Sequence, residues 1–427
     1  MYGSGFVYRL STVIASCAMV LCCSQVLAQT PATNDLQQVG KAIFQDKSLS
    51  IRQNQSCASC HAFQSGWTGP ISMVNAHGAV YQGSIPGRFG NRKPPSAAYA
   101  TPSPILSMDS DGSWSGGNFW DGRATGEKLG NPAADQAQGP FLNPAEQALP
   151  DSACVVYRVC TGAYSNLFQW VMGASVKGAG ACAISWPEDV ELVCQNEGTQ
   201  VALSPSDRAR SNLTYDEIAL AIAAFEASPE VNAFTSKFDR FLKGKAQLTD
   251  QQRKGFALFQ SKGNCANCHI TTEDEPLFTD YTYDNLGVPK NPENPVYIEH
   301  PDFVDAGLGA FLKSIGLPPG MYEPNMGKVK VPTLRNVDKK PSAQFVKAFS
   351  HNGYFKSLEE IVHFYNTRDV LPTCPPGSYG EKLSCWPPPE YPDNVNHEEL
   401  GNLGLTPDEE AAIVAFLRTL SDGYPAK

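Results

Sequence analysis

Apolar residues recur at helical spacing in four parts of the chain. Leu36, Val39, Ile43 and Phe44 share one face of a helix that Asn34 or Asp35 can cap. Phe256, Leu258 and Phe259 lie on a second helix, where Thr249 and Gln252 are spaced for a capping box. The strings Gly40-Lys-Ala-Ile-Phe-Gln45 and Gly255-Phe-Ala-Leu-Phe-Gln260 share Gly, Ala, Phe and Gln in register, which predicts a duplicated helical module. Thr214 to Ser228, rich in Ala, Ile and Glu, predicts a third helix, followed by a connector over 232–244. The last helix is predicted from Thr406, with Pro407 at its first position and Glu409 completing a capping box. Its apolar face carries Ile413, Phe416, Leu417 and Leu420.

Pro- and Gly-rich stretches at 83–118, 285–332 and 372–396 do not alternate as strands do. They predict irregular walls, the usual setting for functional groups. The fold expected is mainly α with little β. A boundary near residue 235 divides an N-terminal domain, 29–235, from a C-terminal domain, 236–427. Residues 150–205 read as an irregular, Cys-rich insertion in the first domain.

Composition narrows the class of protein. The chain has 427 residues, is 42% hydrophobic and carries a formal charge of −10, which argues against a nucleic-acid partner. Such a surface suits a basic docking partner. Arg9, the apolar run from Leu10 to Leu27 and Val26-Leu27-Ala28 before Gln29 predict a secretory signal over 1–28. A membrane anchor is the competing reading of the same run. Of 13 cysteines, Cys17, Cys22 and Cys23 fall in that leader. Cys154, Cys160, Cys182, Cys194, Cys374 and Cys385 form an even set, as expected of disulfides in an oxidising compartment. Pairing of sequence neighbours predicts 154–160, 182–194 and 374–385, each stabilising by roughly 2–4 kcal/mol.

The other four cysteines carry the chemistry. Cys57-Ala-Ser-Cys60-His61 and Cys265-Ala-Asn-Cys268-His269 are CxxCH motifs, each just after a predicted helix. Two thiols at this spacing can bond the vinyl groups of a haem, and the adjacent His can reach its iron. Zinc or redox turns would leave both histidines unexplained. The motifs predict two covalently held haem c groups. Haem attachment of this kind, like the disulfides, points to the periplasm or outer cell surface. With its leading and closing helices, each half resembles a class I cytochrome c.

Beyond these turns, the chain resembles the bacterial di-haem cytochrome c peroxidase and MauG family over about residues 35–148 and 212–422. The resemblance is carried by Phe119-Trp-Asp-Gly-Arg-Ala124, Gln136-Ala-Gln-Gly-Pro140, Asn143-Pro-Ala-Glu146, Ala223-Ala-Phe-Glu-Ala-Ser228, Val331-Pro-Thr-Leu-Arg-Asn336 and His351-Asn-Gly353. It implies that hydrogen peroxide reacts at the haem held by Cys57, Cys60 and His61. The haem held by Cys265, Cys268 and His269 would pass electrons, with Trp120 as conduit. Glu146 would be the acid–base group over the peroxide, helped by Gln136. The chemistry asks for such a group independently, because breaking the O–O bond requires a proton to move from one oxygen to the other.

Two further ligands would set the subtype. His77 lies sixteen residues beyond His61, the spacing of a His that caps the peroxide haem in resting family peroxidases. Tyr365 lies fourteen residues after His351, where those peroxidases carry Met and MauG carries Tyr. A thioether favours ferrous iron, whereas a phenolate favours ferric iron and lowers the potential. Met321 and Met326 are the rival ligands if Tyr365 is a core residue. His363 would face elsewhere on the helix, and His300 and His397 sit in polar loops. The family often binds calcium between its domains; Lys93 in Asn91-Arg-Lys-Pro-Pro-Ser96, and Lys347-Ala-Phe349 without the usual Pro, disfavour it here.

The resemblance therefore implies a periplasmic peroxidase drawing on a small cytochrome or copper protein. In its MauG-like version, a Trp or Tyr of a partner protein is oxidised instead. A two-haem electron carrier without catalysis is the rival of another class. Family members often form homodimers, which leaves that state open here.

Overall fold

The computed structural model describes residues 1–3, 33–173 and 180–425. Beyond Gly3, the predicted leader lies outside the described residues. Pro31–Lys427 form one unit that is mainly helical. Its strands, among the described residues, are two antiparallel pairs: Ser107–Met108 with Trp114–Ser115, and Tyr283–Asp284 with Val329–Lys330.

Two helix pairs organise the molecule. Thr33–Gln45 packs on Pro205–Glu226, and Asp250–Phe259 packs on Pro407–Leu417. Both crossings are close because a glycine meets a backbone carbonyl. A Cβ on Gly40 would stand 1.9 Å from the Ala221 oxygen, and one on Gly255 1.8 Å from that of Ala412. One turn further on, Phe44 meets Phe225 and Phe259 meets Phe416, with ring centroids 5.3 and 5.2 Å apart. Ala221-Ile-Ala-Ala-Phe225 and Ala412-Ile-Val-Ala-Phe416 thus complete the repeat that the leading helices announce.

Caps set the helix limits. Thr249 and Thr406 each form the expected reciprocal box, with Gln252 and Glu409. Pro205–Glu226 begins nine residues before Thr214, because the Ser204 hydroxyl accepts from Asp207 N and Pro205 sits in the first turn. Apolar side chains gather into two main clusters, one running from Val39 to Val231 and the other from Phe238 to Leu420.

The 150–205 block departs from expectation. It contains the helices Ser152–Thr161, Ser165–Gly173 and Val190–Cys194. Val155, Val156, Val159 and Phe168 are fully buried in the first core. Arg158 donates to the carbonyls of Ser48 and Ser50 at 2.7 Å, and Thr214 Oγ1 donates to Ala181 O at 2.8 Å. The block is part of the N-terminal core. Its disulfides are Cys154–Cys194 and Cys160–Cys182, which corrects the neighbour pairing; Cys374–Cys385 is as expected. The reason is geometric. Cys154 and Cys160 lie on one helix, where six residues rise about 9 Å, beyond the roughly 7 Å limit between bridged Cα atoms.

Candidate active site

Both CxxCH turns open onto one large, mostly apolar cavity. Cys57, Cys60, His61, Cys265, Cys268 and His269 all line it, and these four cysteines are free while the other six described are bridged. The two turns are built alike. The carbonyl of the first cysteine accepts from the amide of the histidine at 2.9 Å in each. His61 Nδ1 lies 3.2 Å from Trp67 O, and His269 Nδ1 lies 2.7 Å from Phe278 O. Trp67 and Phe278 both have left-handed backbone, φ 61° and 54°, uncommon for bulky residues. An Nδ1–H directed at a carbonyl leaves Nε2 as the acceptor nitrogen for a metal. Burial lowers the His61 pKa to about 4 and lowers that of His269, so both rings are held neutral, as ligation requires. Paired thiols, a neutral imidazole and an apolar wall fit a covalently attached haem at each turn.

Gln136 and Glu146 line the same cavity. Gln136 lies on the helix Pro132–Leu142, capped by Asn131, whose side chain accepts from Ala133 N and Ala134 N. Asn143 ends that helix and donates from Nδ2 to Glu146 Oε1 at 2.6 Å. Burial raises the Glu146 pKa; the Asn143 bond and the Arg123 charge oppose it. Its charge acts on Cys60, which places it beside the His61 turn. Glu226, which received no role from the sequence, also lines the cavity; it is 5% exposed, and burial lifts its pKa to about 8. The one signal for it was an acid closing an otherwise apolar stretch of helix.

Trp120 lines the cavity within a tight loop closed by Asn118 and Ala124, with Phe119 and Gly122 at positive φ. Its Nε1 donates to Lys93 O at 2.8 Å, and its carbonyl accepts from Lys330 N at 2.8 Å. Lys93 acts electrostatically on His61, while Lys330 belongs to the strand paired with Tyr283–Asp284, downstream of His269. Trp120 is thus held by one segment from each half of the chain.

Tyr365, on the helix Leu358–Thr367, lines the cavity with Cys265, Cys268 and His269, whereas Met321 and Met326 do not. Burial pushes its phenol up, and the nearby Cys265 and Cys268 add to the rise. His363 faces away, with Nδ1 3.0 Å from Glu410 Oε1. His77 lies outside the cavity lining. Its side chain is 58% exposed and its Nδ1 is 2.8 Å from Glu293 Oε1. Lys93 Nζ donates to Thr68 Oγ1 and Pro94 O, and Lys347 Nζ to the carbonyls of Ser65, Asn336 and Lys339. Burial pulls the Lys347 pKa far down, yet three acceptors match the three N–H donors of an ammonium.

Arg335, in the Val331–Asn336 motif, has a structural place. It pairs with buried Asp239 at 2.9 Å and donates from Nε to Pro276 O at 2.7 Å, holding the loop that presents Phe278 O to His269.

A family model described as di-haem cytochrome c peroxidase matches residues 34–247. The methylamine utilization protein MauG of Paracoccus denitrificans is 32% identical over 402 residues, covering 92% of this chain and 90% of that one. Cytochrome c551 peroxidase of Nitrosomonas europaea is 25% identical over 403 residues, covering 94% and 84%. The solved structure of the diheme peroxidase BthA from Burkholderia thailandensis superposes with a TM-score of 0.69 at 28% identity, covering 93% of this chain and 87% of that one.

Proposed function

Because the chain belongs to the di-haem cytochrome c peroxidase family, we propose that it reduces hydrogen peroxide at the His61 haem in a MauG-like manner. Electrons would come from an oxidisable side chain of a partner protein, by way of the His269 haem and Trp120. That the protein is an oxidoreductase acting on peroxide follows from its kinship. The finer assignment rests on one observation: Tyr365 shares the cavity wall with Cys265, Cys268 and His269, whereas His77 is outside it, engaged with Glu293.

Each bound haem would supply an iron able to take up peroxide or pass electrons, with thioethers to Cys57 and Cys60 or to Cys265 and Cys268. The rest is the work of this chain. Glu146, oriented by Asn143, takes the proton from one peroxide oxygen and delivers it to the other, so that the leaving oxygen departs as water. Gln136, on the helix that Asn143 ends, helps position the peroxide. Reduction of peroxide to two waters takes two electrons and two protons, and Trp120 relays the electrons one at a time.

Tyr365, as a ligand that would help hold the His269 haem, would disfavour ferrous iron there, and so a small cytochrome or copper protein as donor. It suits a donor of high potential, such as Trp or Tyr on a partner. Lys93 and Lys347 put ammonium groups, each bonded to oxygens of this chain, in the two stretches where the family binds calcium, so activity is proposed not to depend on calcium. The described disulfides and the haem turns support a site outside the cytoplasm, in the periplasm or at the outer cell surface.

Tyr365→Met tests this reading. Replacing phenolate by thioether should raise the potential of the His269 haem and shift activity from partner oxidation toward a cytochrome donor. An unchanged potential in the variant would reject Tyr365 as a ligand.

A further inference from the structure

Beside Trp120 sits a buried polar ring that the reaction above does not use. The rings of His351 and Trp120 meet edge-on, with centroids 6.5 Å apart and planes at 68°. The His351 side chain is 8% exposed, and neither ring nitrogen has a hydrogen-bond partner within the chain. Its backbone is held in place, since His351 O accepts from Lys93 N at 2.8 Å. The ring lies in the wall between the haem cavity and a second, much smaller polar cavity with room for about one water.

Carboxylates wait on that second side. His351 Nε2 is 3.6 Å from Glu390 Oε2 and 4.0 Å from Asp305 Oδ2. Arg92 already binds Asp305 through two bonds of 2.6 Å, and its third nitrogen reaches Asp121, the residue after Trp120, at 2.6 Å. The guanidinium holds the Asp305 carboxyl well below the usual carboxylate range. Glu390 accepts from Tyr297 Oη at 2.8 Å and from Asp305 N at 2.7 Å. Tyr391 closes the small cavity, and the Lys93 ammonium lies 5.9 Å from the centre of the Trp120 ring.

This arrangement answers a problem that the relay creates. When Trp120 gives up an electron, its Nε1–H points at the Lys93 carbonyl, which cannot keep the proton. The oxidised indole therefore stays a cation, in a buried place where an unbalanced charge is costly. We propose that His351 is a positioning residue of the relay: a proton carried on His351 Nε2 crosses the 3.6 Å to Glu390 Oε2 as Trp120 is oxidised, and returns as Trp120 is reduced. One electron leaves the indole toward the His61 side and one arrives from the His269 side. One N–H bond of the imidazole breaks as one O–H bond of the carboxyl forms, directly or through water in the small polar cavity. The ring against the cation is then neutral, and no other reactant is consumed.

The proposal rests on Trp120 as the relay. The test uses the holoenzyme and follows by stopped flow the passage of electrons from the His269 haem to the peroxide-oxidised His61 site. It is run in H2O and D2O, from about pH 5 to 8, the range in which imidazoles exchange protons. His351→Asn and Glu390→Gln should each slow the passage about tenfold, equivalent to about 1.4 kcal/mol of barrier. Each should also abolish the pH dependence and the solvent isotope effect of the wild type, with both haem spectra unchanged. Wild-type rate and pH profile in both variants would overturn the proposal. So would a slower rate that keeps the wild-type pH profile and isotope effect, since that marks a packing role. A Trp120→Phe arm separates the two levels. Transfer that survives Trp120→Phe overturns the relay reading and the proposal with it; transfer lost there but normal in both other variants overturns the proposal alone.

Discussion

Gly255 lies so close to Ala412 that an added methyl group would stand 1.8 Å from the Ala412 carbonyl oxygen. Gly40 stands in the same relation to Ala221, at 1.9 Å. These crossings bring each haem-binding turn against its closing helix, and backbone cannot move aside as a flexible side chain can. Gly40→Ala and Gly255→Ala should each destabilise the protein by at least about 1–3 kcal/mol, the usual range for overpacking. Thermal unfolding of the two variants, against an exposed control such as Gly320→Ala, where an added methyl group meets nothing within 4 Å, checks this.

Glu146→Gln keeps the shape of the side chain and its bond with Asn143, but cannot carry a proton. Peroxide turnover should fall by roughly 10²–10⁴-fold, with both haems retained. The pH profile follows from the sign of the shift. Glu146 must be ionised to take the first proton, and burial raises its pKa. Activity of the wild type should therefore fall on acidification at a pH above the ordinary carboxylate range, and steady-state rates across pH should show that limb. Glu146→Gln should not show it.

Lys347 donates to three carbonyls that no other described cation serves. Prolonged treatment with a calcium chelator should leave the optical spectrum and peroxide turnover unchanged. Lys347→Met should destabilise by about 1–3 kcal/mol for each buried acceptor left unpaired. Loss of activity on chelation, restored by calcium, would contradict the assignment.

Breaking the inner of the two nested disulfides tests the revised role of the 150–205 block. Cys160→Ser with Cys182→Ser should lower stability by roughly 2–4 kcal/mol, and the loss should reach the His61 site. The reason is that Val155, Val156 and Phe168 belong to the same core as Val39 and Phe44. Denaturation followed separately at the two haems should show the His61 domain weakened.

Much of this was legible in the sequence. CxxCH marked the two turns that line the cavity, and the capping boxes at Thr249 and Thr406 marked true helix starts. Periodicity placed Tyr365 and His363 on different sides of one helix, as the cavity lining bears out. What stayed hidden depends on contacts distant in the chain. The disulfide partners of Cys154 and Cys160 arrive from separate segments. Trp67 and Phe278 accept a histidine N–H only because their backbone turns left-handed, which nothing in a bulky aromatic announces. Spacing along the chain does not say which way a loop carries the His77 side chain, which here meets Glu293.

The central claim is that peroxide acts on the oxidised protein directly, without prior reduction to free a capped site. The decisive measurement is stopped-flow absorbance, visible and near-infrared, after stoichiometric hydrogen peroxide is mixed with the fully ferric holoenzyme. The account predicts a fast change at both haems, absent in Glu146→Gln and altered in Tyr365→Met. A ferric protein that ignores peroxide until one haem has been reduced, and that reacts without reduction once His77 is replaced by Gly, would contradict it.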